Sequence, residues 1–123
     1  MNNSTAYAIP GVEKKISTYR LSTLTEISET VCDKYNVTMA QLVVRTRKRK
    51  VVLPRQIGMA LSKVKTKHTL DSIGFYWGGF DHATVLHSVK TVKNLLDTDR
   101  VFREETDGLF VGVNWPQFKN QLK

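Results

Sequence analysis

The stretch that decides the fold covers residues 69–92, with the sequence TLDSIGFYWGGFDHATVLHSVKTV. Thr69 is a residue type that caps helices, and the apolar periodicity after it predicts the start of one helix. Gly78–Gly79 ends that helix, because glycine readily adopts the left-handed conformation that follows many helices. Asp81 or Phe80 then opens a second helix. Two helices joined by a tight glycine turn predict a helix-turn-helix.

Both helices of this pair carry apolar residues at helical spacing. The apolar positions of the first helix are Leu70, Ile73 and Trp77. Those of the second helix are Val85, Leu86, Val89, Val92 and Leu96. The opposite face of the second helix is small and polar, as suits a DNA major groove, and consists of Ala83, Thr84, His87, Ser88, Lys90 and Thr91. His82 falls near the buried edge, so that it is either a core or capping histidine or a side chain that projects past the helix end.

The segments on either side of this pair also carry helix signals. Thr23 begins a capping-box pattern that predicts a first helix over residues 23–35, and Thr38 begins a second one for a short helix. Pro54 suits the first turn of a third helix, where its missing N–H costs nothing. One further helix is predicted over residues 98–106. Because strand-like alternation is missing from the sequence, the predicted class is all-α, a small helical bundle that contains a helix-turn-helix.

The chain divides into three predicted segments. Residues 1–22 form a polar N-terminal lead-in without the pattern of a signal peptide. Residues 23–106 form the helix-turn-helix domain. Residues 107–123 form an apolar tail, which either folds back to close the core or provides a surface for a protein partner or a homodimer.

Basic residues are concentrated in the middle of the chain. The formal net charge is +8 over 123 residues. Residues 34–70 hold ten bases and no acid, whereas residues 1–33 and 71–123 each carry a net charge of −1. Since a solvated surface normally mixes both signs, a stretch of one sign indicates a surface that faces a polyanion, and the alternative is a merely soluble basic face.

Other functional classes find little support in the sequence. The longest apolar runs fall well short of the ~18 residues that span a membrane. A lone Cys32 allows no internal disulfide, which suits a reducing cytoplasm, and the spacing of the histidines does not favour a metal site. Gly74 and Gly79 have the spacing of a phosphate loop, but the Lys and Ser/Thr that such a loop needs are missing. We therefore expect no enzyme activity, no cofactor and no bound nucleotide.

The segment that runs from Gly78 to Ser88 resembles a known signature. Its sequence, Gly-Gly-Phe-Asp-His-Ala-Thr-Val-Leu-His-Ser, is similar to the Gly-Gly-Arg-Asp-His-Thr-Thr-Val-Leu-His-Ala of the C-terminal DNA-binding domain of DnaA, the bacterial replication initiator. Upstream, Pro54-Arg55-Gln56 matches the Pro-Arg-Gln of the family, and residues 69–74 resemble its Ser-Leu-Pro-Glu-Ile-Gly. The resemblance covers roughly residues 23–96.

The resemblance implies how the residues would meet DNA. Arg47 would enter the minor groove from the basic stretch, Arg55 and Gln56 would approach bases or phosphates, and Asp81, His82 and Thr84 would enter the major groove. Three departures from the family, Phe80 for Arg, Ala83 for Thr and Asp71 for Pro, predict an altered base preference. The candidate DNA-contacting residues are Arg45, Arg47, Lys48, Arg49, Lys50, Arg55, Gln56, Thr69, Asp81, His82, Ala83, Thr84, His87 and Ser88.

The function expected from the sequence is that of a standalone, sequence-specific protein that binds double-stranded DNA. It would regulate transcription or replication, on a phage or mobile element, and would be cytoplasmic and associated with the nucleoid. The family's ATPase domain is outside the sequence, so ATP-driven assembly is not expected. The alternative is an interaction module that keeps the fold and binds a replication or transcription protein through its tail.

Overall fold

The computed structural model describes residues 23–106 and 108–118, and this part of the chain contains six α-helices, one 3₁₀ turn and no strand. The helices are α1 (Leu24–Tyr35), α2 (Met39–Leu42), α3 (Arg49–Lys65), α4 (Leu70–Tyr76), α5 (His82–Thr98) and α6 (Arg100–Glu105), and the 3₁₀ turn is Trp115–Phe118. The all-α prediction is confirmed. The predicted lead-in, residues 1–22, lies outside the described residues.

Side-chain caps start most of the helices where the sequence predicts them. Thr23 and Thr38 each accept a hydrogen bond from the backbone N–H three residues on, and each belongs to a complete capping box. Thr69 caps α4 and Asp81 caps α5 in the same way. Such a cap contributes about 1 kcal/mol to helix stability. The beginnings of α1, α2, α4 and α5 are therefore fixed by local chemistry.

The start of α3 differs from the prediction. The helix begins at Arg49 rather than near Pro54, so Pro54 is its sixth residue. The backbone N–H groups of Val51 and Val52 both bond to the carbonyl of Lys48, at 2.9 and 2.8 Å, which closes an earlier first turn. Val51 is buried, and its burial favours this earlier start at the expense of the one backbone hydrogen bond that Pro54 lacks.

The third helix forms the centre of the core. It packs against α1, α2, α4 and α5. Its fully buried apolar residues are Ile57, Met59, Ala60 and Leu61. Gly58 lets the indole of Trp77 approach, since a methyl group at this position would overlap the ring. The Trp77 Nε1–H donates to Ser62 Oγ over 3.0 Å, and this hydroxyl donates to the carbonyl of Gly58 over 2.7 Å.

The turn between α4 and α5 has the predicted glycine geometry. Gly78 and Gly79 have φ angles of 124° and 80°, which disfavour any residue with a side chain. The N–H groups of Gly79 and Phe80 both bond to the carbonyl of Gly74 at 2.9 Å. Asp81 then opens α5. The predicted helix-turn-helix is thus present as α4, turn and α5.

The described part of the tail lies against the helical domain. Leu109 and Phe118 are buried, and the rings of Phe110 and Trp115 stack with centroids 5.9 Å apart. Lys65 Nζ donates to the carbonyl of Val111 over 3.2 Å. The chain reaches the tail through α6, a helix shorter than the predicted 98–106 because Asp99 rather than Thr98 caps it.

Candidate nucleic-acid interface

The loop between α2 and α3, residues 43–48 and hereafter the basic loop, is docked on the turn of the helix-turn-helix. Arg45 Nη2 donates to the carbonyl of Gly79 over 2.8 Å. The guanidinium carbon of Arg45 lies 3.8 Å from the centroid of the Phe80 ring, a cation–π contact. Gly78 sits close to the backbone of Val43, where a side chain would crowd it. The loop and the turn therefore form one surface.

Arg55 was expected at bases or phosphates, and the structure contradicts this expectation. The residue is 7 % exposed, and its Nη1 donates to the carbonyls of Leu42 and Val44 over 3.0 and 2.8 Å. Its guanidinium carbon lies 4.6 Å from the Phe80 centroid. Burial, and then the charge of Arg45, lower the pKa of Arg55. Because a buried carbonyl needs a donor, the two bonds of Arg55 hold the start of the basic loop against α3.

The exposed cations lie just beyond that anchor. Arg47, Lys48, Arg49 and Lys50 are all exposed. Of the six α-helices in the described residues, five have an N-cap side chain that accepts a capping hydrogen bond, and α3 does not. Cations at a helix N-terminus oppose the helix dipole, so the start of α3 concentrates positive potential. An anion such as a DNA phosphate would relieve this unfavourable arrangement.

The first turn of α5 presents the residues predicted to read bases. The side chain of His82 is 66 % exposed, so the core interpretation of this histidine is wrong. Ala83 and Thr84 are also exposed. Asp81 Oδ1 accepts from the Thr84 N–H over 2.9 Å, and this hydrogen bond lowers the pKa of Asp81. Asp81 thus acts as the cap that holds this turn in place.

Ser88 was expected on the exposed face of α5, and this expectation is wrong. The residue is 3 % exposed, and its Oγ donates to the carbonyl of Thr84 over 3.0 Å. It lies three residues after Val85 and four before Val92, at the edge of the helix face that packs on α3 and α4. The helical wheel counted Leu86 as buried, which shifted the centre of the predicted buried face away from Ser88. Leu86 is in fact only half-buried.

The remaining candidates occupy intermediate roles. His87 is exposed one turn farther along α5, with Nε2 3.5 Å from the hydroxyl of Thr91. Gln56 is half-buried. Thr69 is exposed, but its hydroxyl is engaged as the cap of α4, accepting from the Ser72 N–H over 3.1 Å.

Two residues of the interface were not recognised from the sequence. Phe80 was interpreted only as the loss of a basic contact, whereas its ring contacts two arginines. Asp71 lies beside the first turn of α5, with Oδ1 3.6 Å from Nδ1 of His82. The contacts of Phe80 could not be predicted from a local sequence pattern, because Arg45 and Arg55 are distant from it in sequence. The acid of Asp71 was noticed as a departure, but its histidine partner was not.

Two other kinds of feature concern residues 23–106 and 108–118. This part of the chain holds no group of three His, Cys, Asp or Glu side chains that could bind a metal ion. It also holds no helix long and apolar enough to cross a membrane.

A comparison with protein families identifies a match to the region that contains the basic loop and the helix-turn-helix. The family model of the bacterial dnaA protein helix-turn-helix matches residues 24–92, which is more than half of the chain. The matched region begins with α1, includes the basic loop and the helix-turn-helix, and ends within α5. The chain therefore belongs to the bacterial DnaA helix-turn-helix family, an all-α family of DNA-binding domains.

Proposed function

We propose that this protein recognises specific sequences in double-stranded DNA and thereby regulates transcription or replication. The observation that carries the proposal is the docking of the basic loop on the helix-turn-helix, which places exposed cations beside the first turn of α5. A surface with both features can hold the DNA backbone and present side chains to base edges at once.

Affinity and specificity would come from different residues. The cations from Arg47 to Lys50 would neutralise phosphates or enter the minor groove, which binds without reading sequence directly. His82 and Thr84 can hydrogen-bond base edges in the major groove, and the methyl group of Ala83 can contact a thymine methyl. His87, one turn farther along, would contact the groove wall.

The proposal is tested by selecting bound sequences from a random DNA pool and measuring their affinities by fluorescence anisotropy. His82→Ala is expected to change the preferred base at one position of the selected motif, at a cost of about 1–3 kcal/mol in discrimination. The slope of affinity against salt should stay the same, because no phosphate contact is lost. His68→Ala, at an exposed histidine outside the candidate set, is the matched control. Uniform weakening of all sequences by His82→Ala would contradict base reading by this residue.

Asp71 places a negative charge on the proposed DNA surface. Its side chain is 81 % exposed and lies beside His82, so it would repel phosphates. Asp71→Asn is expected to raise affinity for DNA roughly two- to fivefold at low salt, as befits an exposed charge. Glu104→Gln, on the distant α6, makes the same change in net charge and should leave affinity nearly unchanged. Equal gains from the two variants would mean that only net charge matters.

The alternative, a protein-interaction module that acts through the tail, draws less support. Leu109 and Phe118 are buried against the domain, and the Phe110 and Trp115 rings stack on each other. Much of the apolar surface in residues 108–118 is therefore used within the chain. A protein-binding tail would instead be expected to leave these side chains unpaired.

A further inference from the structure

We infer that Phe80 is a positioning residue that fixes the distance between the basic loop and the first turn of α5, and so makes the protein selective for the spacing of its DNA contacts. This inference rests on the proposed function. It concerns a side chain that stands where the family signature has an arginine, and that would itself make no base contact.

The first support is the double restraint on Arg45. The Phe80 ring covers one face of its guanidinium at 3.8 Å, and the Gly79 carbonyl accepts from its edge at 2.8 Å. Arg47 follows only two residues later, so its Cα lies within about 7 Å of the Arg45 Cα. Holding Arg45 therefore limits where Arg47 can reach.

The second support is that the ring also contacts the anchor on the other side of the loop. The Arg55 guanidinium carbon lies 4.6 Å from the Phe80 centroid, and the same side chain holds the carbonyls of Leu42 and Val44. A single aromatic ring thus lies against one cation of the loop, Arg45, and one cation of α3, Arg55. The negative faces of the ring offset the repulsion between these two like charges.

The third support is that Phe80 is itself held by the helix-turn-helix. Its backbone N–H bonds to the Gly74 carbonyl at 2.9 Å, and the next residue, Asp81, caps α5. The ring is therefore fixed relative to the first turn of α5. Through Arg45 and Arg55, the basic loop takes its position from the same turn.

A fixed loop has a measurable consequence for DNA. One inserted base pair moves the minor-groove contact by about 3.4 Å along the duplex relative to the major-groove contact. A loop held by the ring cannot follow this movement, whereas a loop released from it can. The unmutated protein should therefore bind weakly to sites in which the minor-groove and major-groove contacts are one base pair closer or farther apart.

The experiment compares the selected site with versions that carry one inserted or deleted base pair between the two contacted parts. Phe80→Leu keeps an apolar side chain but removes the ring, and Phe80→Tyr keeps the ring. We expect Phe80→Leu to lose roughly three- to thirtyfold in affinity for the parent site, the range of a cation–π contact, and to discriminate spacing poorly. Phe80→Tyr should retain both properties.

Arg45→Ala provides a second test, because it removes the cation–π contact from the side of the basic loop and leaves Phe80 in place. Its loss of spacing discrimination should be similar to that of Phe80→Leu, and the two losses should be less than additive in the double variant, because the two substitutions share the Arg45–Phe80 contact. Thermal unfolding of every variant separates loss of the contact from loss of the fold. If Phe80→Leu proves unfolded, the result with Arg45→Ala decides the inference.

The outcomes separate this inference from the function on which it rests. Failure of the unmutated protein to enrich any motif overturns the proposed function and the inference together. If a motif is enriched, and folded Phe80→Leu and Arg45→Ala discriminate against altered spacing as strongly as the unmutated protein does, the inference alone is overturned. Additive losses from the two substitutions would also overturn it, since Arg45 would then act on DNA independently of the ring.

Discussion

Replacing Arg47 with alanine is expected to lower DNA affinity roughly ten- to hundredfold, the range for loss of a hydrogen bond to a charged group. Arg47 is exposed in the basic loop, just beyond the point where Arg45 is fixed, so its side chain is available to DNA. A narrow minor groove or a phosphate would accept its guanidinium. If the contact is to a phosphate, the slope of log affinity against log salt should fall by about 0.9.

The measurement is a salt titration of binding by fluorescence anisotropy, with Arg100→Ala as the matched control. Arg100 is an exposed arginine just after the end of α5, and the 17 residues of that helix separate it from the reading turn by roughly 24 Å. The control makes the same change in charge and should barely alter affinity or slope. If both variants lose affinity equally, the basic loop has no special role and binding follows net charge.

Much of the fold could be predicted because its signals are local. A capping side chain and the N–H that it accepts from lie three residues apart, so Thr23, Thr38, Thr69 and Asp81 identify helix starts directly. The Gly78–Gly79 turn is equally local, since its positive φ angles depend on those two residues themselves. These signals suffice for the helix-turn-helix, but they left His82 either at the buried edge or projecting past the end of α5.

The parts that failed depend on contacts between distant residues. The family resemblance implies a DNA contact for Arg55, but the carbonyls that its side chain satisfies belong to Leu42 and Val44. Ser88 looked exposed because the helical wheel cannot show that α3 and α4 both pack on α5 and widen its buried face. The contact of Phe80 with Arg45 has the same origin, as it forms only when the loop docks.

The concentration of basic residues in 34–70 did not by itself identify which of them are free to bind an anion. Within the described residues, Arg45, Arg55 and Lys65 all donate to backbone carbonyls, so part of the basic block stabilises the protein itself. The cations that stay exposed around the start of α3 are the ones positioned for an anion. Composition indicates a polyanion, but only the structure divides the block into anchors and exposed groups.

Replacing Trp77 with alanine is expected to lower the free energy of unfolding by about 3–5 kcal/mol, as for other large buried aromatics. Trp77 is fully buried, lies in the space left by Gly58 and donates its indole N–H to Ser62. It also forms the C-cap of α4, immediately before Gly78. Its loss should therefore empty the core directly beneath the turn that positions α5.

Urea unfolding followed by circular dichroism measures this effect, and two variants define its cause. Trp77→Phe keeps most of the ring but leaves the Ser62 hydroxyl without its donor, at an expected cost of about 1–3 kcal/mol. Trp115→Ala removes the half-buried tryptophan of the tail and should cost clearly less than Trp77→Ala. Equal costs at the two tryptophans would contradict a central role for Trp77.

DNA binding distinguishes this substitution from Arg47→Ala. Trp77 is fully buried and cannot contact DNA, so Trp77→Ala should weaken binding only through the population and order of the helix-turn-helix. Its effect on affinity should shrink at about 10–20 °C, where folded domains are typically most stable, or in a stabilising osmolyte, since both favour the folded state. The effect of Arg47→Ala should persist under those conditions, because a missing contact cannot be restored by stabilising the fold. A loss of affinity by folded Trp77→Ala that resists both treatments would show that the indole sets the geometry of the turn as well as its stability.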